Sequence, residues 1–122
     1  MVLRAYARRL RVHELAVEVS VRTARLIRSL GGPGVASRAD QLVRAALSIS
    51  SNIAEACGRG TVPEFRQFLL YARGSAQETL TQLRVAAALD PAHSQAIRAL
   101  ENRVALILKM LGRLIDHPPP DR

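Results

Sequence analysis

Residues 44–78 read RAALSISSNIAEACGRGTVPEFRQFLLYARGSAQE. Leu42, Ala46, Ile49, Ile53 and Ala56 recur at steps of three and four, which sets them on one face of a helix. Gly58 directly follows Cys57, and a glycine there suits a left-handed helix cap. After Arg59 and Gly60, the run Thr61-Val62-Pro63-Glu64 has the form of a capping box. The Thr61 hydroxyl takes an orphan first-turn amide while Glu64 reaches back. Pro63 is tolerated because the first-turn amides have no partner in any case. Phe65, Phe68, Leu69, Ala72, Ala76, Leu80, Leu83 and Ala87 then carry a second apolar stripe. The stretch therefore predicts two helices meeting at a tight corner.

The flanks of that pair are small and polar where a plain bundle would carry leucine. Ser48, Asn52 and Glu55 fall on one side of the first helix; Tyr71, Ser75, Glu78 and Gln82 fall on one side of the second. Antiparallel packing brings the two sets near one another. Two readings stand. One is a solvated face with helix caps. The other is a hydrogen-bonded polar layer of Ser48, Asn52, Glu55, Ser75 and Glu78 at a helix or subunit seam. Ala45, Ser48, Gly74 and Ser75 would allow the close approach such a seam needs.

SISSNIAEACGRG followed by PEFRQFLLYARGSAQET resembles the signature of the bacterial four-helix-bundle proteins encoded in 23S rRNA intervening sequences. That group is related to the accessory variability proteins of diversity-generating retroelements. The likeness spans roughly Val12 to Leu89. It is carried by Asn52-Ile53-Ala54-Glu55, Gly58-Arg59, Glu64-Phe65, and Gly74-Ser75 with Glu78. The chain departs from the pattern in two places. It has no Trp before His13-Glu14-Leu15, and Ser51 stands where a Pro or Ala-like residue is common. The resemblance implies a homo-oligomer, a pentamer by analogy with the accessory proteins. It also implies RNA and a reverse transcriptase as partners, with Arg59, Arg66, Arg73 and Arg84 facing one or the other.

A chain of 122 residues is one domain by length. We read residues 1–116 as the bundle and 117–122 as a disordered tail. Hydrophobic residues make up 48% but aromatics only 3%, so the core must be Leu, Val, Ile and Ala. The formal net charge is +8, and Lys109 is the only lysine among the basic residues. Guanidinium groups stay charged and fork onto phosphate oxygens, so this balance favours a polyanion, most plausibly nucleic acid. The competing reading is arginine used simply as a solvated cation by a GC-biased gene. Cys57 is alone, which excludes a disulfide framework or a cysteine metal site and points to a reducing cytoplasm. No apolar run approaches about 18 residues, and the Arg-rich opening lacks the apolar core of a secretory signal.

The first helix is expected over about Leu3 to Leu30. Val12, Leu15, Ala16, Val19, Leu26 and Leu30 cluster on one side, and Leu3, Tyr6, Leu10, Val17, Val21 and Ala24 on nearly the opposite one. Two stripes fit one core face and one subunit face; a single wide stripe in a central helix is the alternative. Arg4, Arg8, Arg11, Arg22 and Arg25 share a third side, interrupted by Leu15 and Glu18. This run is either a phosphate-contacting row or a solvated face. Gly31-Gly32-Pro33-Gly34 breaks the chain. Ser37 to Asp40 reads as a capping-box variant opening a second helix to Cys57. A third helix runs from Val62 to Leu89, and Asp90-Pro91 is a cap and first-turn proline for a fourth. There Ile97, Leu100, Val104, Ile107, Leu111 and Leu114 form a heptad seam, with Arg98, Lys109 and Arg113 on the outer side. Pro118-Pro119-Pro120 ends it. Four such helices with short connections make an all-α, up-down-up-down antiparallel four-helix bundle.

The sequence offers little for catalysis. A di-iron bundle needs Glu-x-x-His, which does not occur, and His13, His93 and His117 lie on separate segments. Cys57 has no evident His partner, and Ser48 and Ser75 have no evident base. Gly58-Arg59-Gly60 is too short for a phosphate loop. We therefore expect no catalytic residue, no metal and no cofactor. The expected function is a non-catalytic, basic homo-oligomer that binds structured RNA or an RNA/DNA hybrid through its phosphates. The candidate contacts are Arg4, Arg8, Arg11, Arg22, Arg25, Arg59, Arg66, Arg73 and Arg84. The alternative is a protein–protein scaffold that docks an acidic partner without nucleic acid.

Overall fold

The computed structural model describes residues 10–118. Four helices follow in order: α1 (Arg11–Leu26), α2 (Val35–Cys57), α3 (Val62–Leu89) and α4 (Ser94–Asp116), with one 3-10 turn at Pro91–His93. They form an all-α bundle. Each helix packs on two neighbours: α1 on α2 and α4, and α3 on α2 and α4; the diagonal pairs stand farther apart across the core.

The apolar stripes decide this arrangement. Val12, Leu15, Ala16 and Val19 of α1 face Leu42, Ala46, Ile49, Ile53 and Ala56 of α2 across one core. Phe65, Leu69, Ala72, Ala76 and Leu83 of α3 and Ile97, Leu100, Val104, Ile107 and Leu111 of α4 complete it. The alanines keep the helices close, and among the described residues Phe65 is the one aromatic ring fully inside. Ser20 is buried between α1 and α2. Its hydroxyl is 3.0 Å from the Ala16 carbonyl and 3.2 Å from the Ala46 carbonyl. This contact sets Ala46 at the height of Ser20 and fixes the register of the first two helices.

The corners differ from the sequence reading in three ways. Gly58 closes α2 in right-handed geometry (φ −82), with its amide on the Ala54 and Glu55 carbonyls. The chain needs no left-handed cap there, because Arg59 continues the turn onto the Ala56 carbonyl. The left-handed glycines are Gly32 (φ 97) and Gly34 (φ 64), both in the turn between α1 and α2. Gly34 opens α2 three residues before the expected box, its carbonyl accepting the Arg38 amide, so Ser37 lies inside the helix and caps nothing.

The Thr61 cap does form: its hydroxyl accepts the Glu64 amide. The reciprocal half is altered, since the Glu64 carboxylate takes the Thr61 hydroxyl at 2.9 Å rather than the cap amide. Asp90 does not cap the amides of a following helix either. Its carboxylate turns back across the molecule to the Gly31 amide. The first helix was expected from Leu3; residues 3–9 lie outside the described part. At its other end α1 stops at Leu26 with Ile27 as its right-handed cap, and Ile27 and Leu30 cover the core.

Candidate nucleic-acid interface

The proposed polar layer resolves into local bonds. The Asn52 side-chain amide donates to the Ser48 carbonyl within α2 (2.9 Å), and the Thr79 hydroxyl donates to the Ser75 carbonyl within α3 (2.7 Å). Glu55 pairs with Arg59. Ser48 and Glu78 do share an open groove between α2 and α3, together with Gln41, Arg44 and Ala45. The side-chain bond between α2 and α3 lies beside that groove, from Gln82 to Gln41 at 3.3 Å; periodicity placed Gln82 on this flank but not its partner.

The candidate arginines fall into groups. Arg4 and Arg8 lie outside the described residues. Arg22 is held by Glu18 at 3.3 Å, and the same carboxylate takes Arg103 from α4 at 3.6 Å. Arg59 is the most engaged: Glu55 at 2.6 Å, Glu64 at 3.8 Å, and the Phe68 ring 4.4 Å below its guanidinium carbon. That side chain fastens the α2–α3 corner, and much of its charge is met within the protein. Arg66 donates its Nε to the Ile115 carbonyl at 2.8 Å, which ties the start of α3 to the end of α4.

Arg11, Arg25, Arg73 and Arg84 are exposed, as are Arg98, Lys109 and Arg113 of α4. Among the described residues no carboxylate lies within ion-pair distance of these seven or of Arg66. Arg66, Arg73 and Arg84 are spaced by seven and eleven residues, so they lie within about 20° of one line down α3. Arg98 and Lys109, also eleven apart, lie on one line down α4. These two α4 cations were outside the sequence-derived contact set. The signal that finds them is the antiparallel register, which needs the fold.

Other chemistry is sparse. Burial pushes the Cys57 thiol up to about 11, so it is protonated at neutral pH. Among the described residues no group of three His, Cys, Asp or Glu is placed to hold a metal ion. No described helix is long and apolar enough to cross a membrane.

The sequence model of the 23S rRNA-intervening sequence protein family matches residues 8–113. The chain belongs to that family. Comparison with curated proteins gives no match. Among solved structures, this 23S rRNA-intervening sequence protein is similar to a protein of unknown function from the S23 ribosomal protein family of Bacteroides thetaiotaomicron VPI-5482. The two share 23% identity with a TM-score of 0.75, over 85% of this chain and 97% of that one. At that identity the likeness shows a common helical fold.

Proposed function

We propose that this 23S rRNA-intervening sequence protein is a non-catalytic, basic homo-oligomer that binds structured RNA or an RNA/DNA hybrid through backbone phosphates. The observation that carries this reading is the division of its surface. Cations without carboxylate partners line the outer sides of α3 and α4. The outer side of α1 and α2 instead exposes Val17, Val21 and Ala24 beside Leu47, Ser51 and Ala54, among charges of both signs: Glu14, Arg25 and the Asp40–Arg44 pair. A face of unpartnered cations is suited to a polyanion, and a more apolar one of balanced charge to another copy of the same basic chain.

The aromatic inventory argues for backbone contact. Phe65 is buried, Phe68 lies under Arg59, and the Tyr71 hydroxyl accepts the Gln67 amide. Tyr71, 49% exposed, is the one exposed ring among the described residues, and a single ring gives stacking on single-stranded bases little to work with. Duplex RNA is instead recognised by shape and phosphates. Within this reading, the resemblance carried by Asn52–Glu55 and Gly58-Arg59 makes an accessory subunit of a diversity-generating retroelement reverse transcriptase the finer assignment.

The test is a salt titration of binding to a labelled RNA duplex. Affinity should fall linearly with salt on logarithmic axes, by about 0.9 per phosphate neutralised. A protein that ignores RNA even at about 50 mM salt would sink the reading and leave the acidic-partner scaffold.

A further inference from the structure

We infer that the phosphate-binding surface is one strip along the α3–α4 face, and that it takes a nucleic-acid duplex lying along the bundle axis. Its centre is two cation pairs, Arg73 with Lys109 and Arg84 with Arg98. This rests on the nucleic-acid reading above and goes beyond it by naming the surface, the form of the ligand and its direction.

The pairs follow from register. The Arg66–Ile115 hydrogen bond sets those two residues at one height. Arg73 lies seven positions beyond Arg66, about 10.5 Å along α3, and Lys109 six positions before Ile115, about 9 Å along antiparallel α4. Arg84 and Arg98 are about 27 Å and 25.5 Å from the same anchor. The corner at the far end gives the same alignment, since α3 ends at Leu89 and α4 begins at Ser94. Two adjacent helices therefore present two rungs of two cations each, about 16.5 Å apart. The helix axes are about 8–10 Å apart.

A straight, rigid strip suits a straight, rigid ligand. The two backbones of a duplex cross any line drawn parallel to its axis in turn, so cations on two rungs about 16.5 Å apart each reach phosphate, in the way duplex RNA is read by shape across successive grooves. Between the rungs lie Gln77, Thr81 and Ala105, small or neutral side chains that leave room for a groove, and the half-buried Glu101, which makes no ion pair with any of the four cations. None is aromatic, so the strip has no means of stacking an unpaired base. The α1 row is differently placed: Glu18 lies in its middle and already meets both Arg22 and Arg103.

The experiment compares two charge-matched variants of the full chain. One is Arg73→Gln, Arg84→Gln, Arg98→Gln and Lys109→Gln; the other is Arg11→Gln, Arg25→Gln, Arg28→Gln and Arg113→Gln. All eight side chains are exposed, so helicity by circular dichroism should match the wild type. On an RNA duplex the strip variant should lose about a hundredfold or more in affinity at moderate salt, with the salt slope reduced by about 3 to 4. The matched control should lose less than about tenfold, through long-range charge alone. Each single-rung pair, Arg73→Gln with Lys109→Gln or Arg84→Gln with Arg98→Gln, should give about half the slope change. Equal losses in both quadruple variants would overturn the strip while RNA binding itself stands. Equal wild-type affinity for single strands of the same length would overturn the duplex. Absence of wild-type binding would remove the parent reading along with both.

Discussion

The Asp90 carboxylate accepts the Gly31 amide at 2.8 Å, across 59 residues of sequence. The turn after α1 is thereby fastened to the corner after α3. The same oxygen is 2.9 Å from Nδ1 of His93. Gly32 completes the junction: a Cβ there would meet the Leu89 carbonyl at 2.9 Å, and its φ of +97 already excludes most side chains. One end of the bundle is thus closed by a carboxylate and a glycine in addition to the apolar cover of Ile27 and Leu30.

This junction gives stability a pH dependence. The His93 hydrogen bond, and then the Gly31 amide, hold the Asp90 carboxyl below its ordinary value, outweighing the burial that opposes them. A depressed folded value contributes stability above the unfolded pKa of about 3.9 and loses it as pH falls through the folded one. Asp90→Asn should therefore unfold at lower urea than the wild type between about pH 5 and 8. The gap should shrink below about pH 4. A gap that persists unchanged into acid would exclude the carboxylate as its source.

Two buried hydroxyls should respond oppositely to removal. Ser20 bonds the Ala16 and Ala46 carbonyls, while the Thr23 hydroxyl, equally enclosed, has no partner. Ser20→Ala should cost about 1 kcal/mol, and Thr23→Val should be neutral or stabilise by about 1 kcal/mol, because it removes an unsatisfied group at constant shape. Chemical denaturation of both variants checks the sign of each.

The helices and their core were legible because apolar residues at steps of three and four report a buried face directly. Val12 to Val19, Ile49 to Ala56 and Ile97 to Leu111 all lie where their spacing puts them. The corners were less legible. Whether Gly58 or Gly34 turns left-handed depends on where the next helix must go, and Asp90 finds its partner 59 residues away. The cation rungs were out of reach for the same reason. Arg84 and Arg98 are fourteen apart in sequence, and only the antiparallel return of α4 sets them level.

Cys57 should be slow to react while the protein is folded. With its thiol at about 11, the thiolate fraction at about pH 8 is some two orders of magnitude below that of a free cysteine at about 8.5. Alkylation followed by mass spectrometry should show near-complete labelling only in denaturant. Rapid labelling in the native protein would mean the α2–α3 corner opens on that timescale.

Arg59 is expected to matter more for the corner than for a ligand. Lysine keeps the charge but loses the planar group that stacks on Phe68 and forks toward Glu55 and Glu64. Arg59→Lys should lower stability by about 0.5–1 kcal/mol and leave RNA affinity within about twofold, because much of the charge is already met by carboxylates. A large loss of RNA binding at unchanged stability would move Arg59 into the interface.

The apolar flank of α1 and α2 supplies the test of self-association. The Ser20–Ala46 contact puts Leu47 level with position 19, between Val17 and Val21 on the neighbouring helix. These three side chains are 49%, 42% and 44% exposed, in that order. Covering what remains of each would contribute about 1 kcal/mol apiece, or about 3 kcal/mol for one copy's side of an interface, roughly a hundredfold in association. Other exposed apolar groups lie between cations: Leu70 between Arg66 and Arg73, and Leu106 between Arg103 and Lys109, whereas the charge beside Leu47 is the balanced Asp40–Arg44 pair. In a chain of net charge +8, the flank of balanced charge is where two copies meet with least repulsion. Val21→Glu with Leu47→Glu should therefore give a folded monomer by sedimentation, where the wild type sediments as an oligomer. Because a polyanion shared between subunits gains from their number, the same variant should also bind RNA more weakly with its arginines intact. A wild-type chain that is monomeric at micromolar concentration would show that this flank is simply wetted.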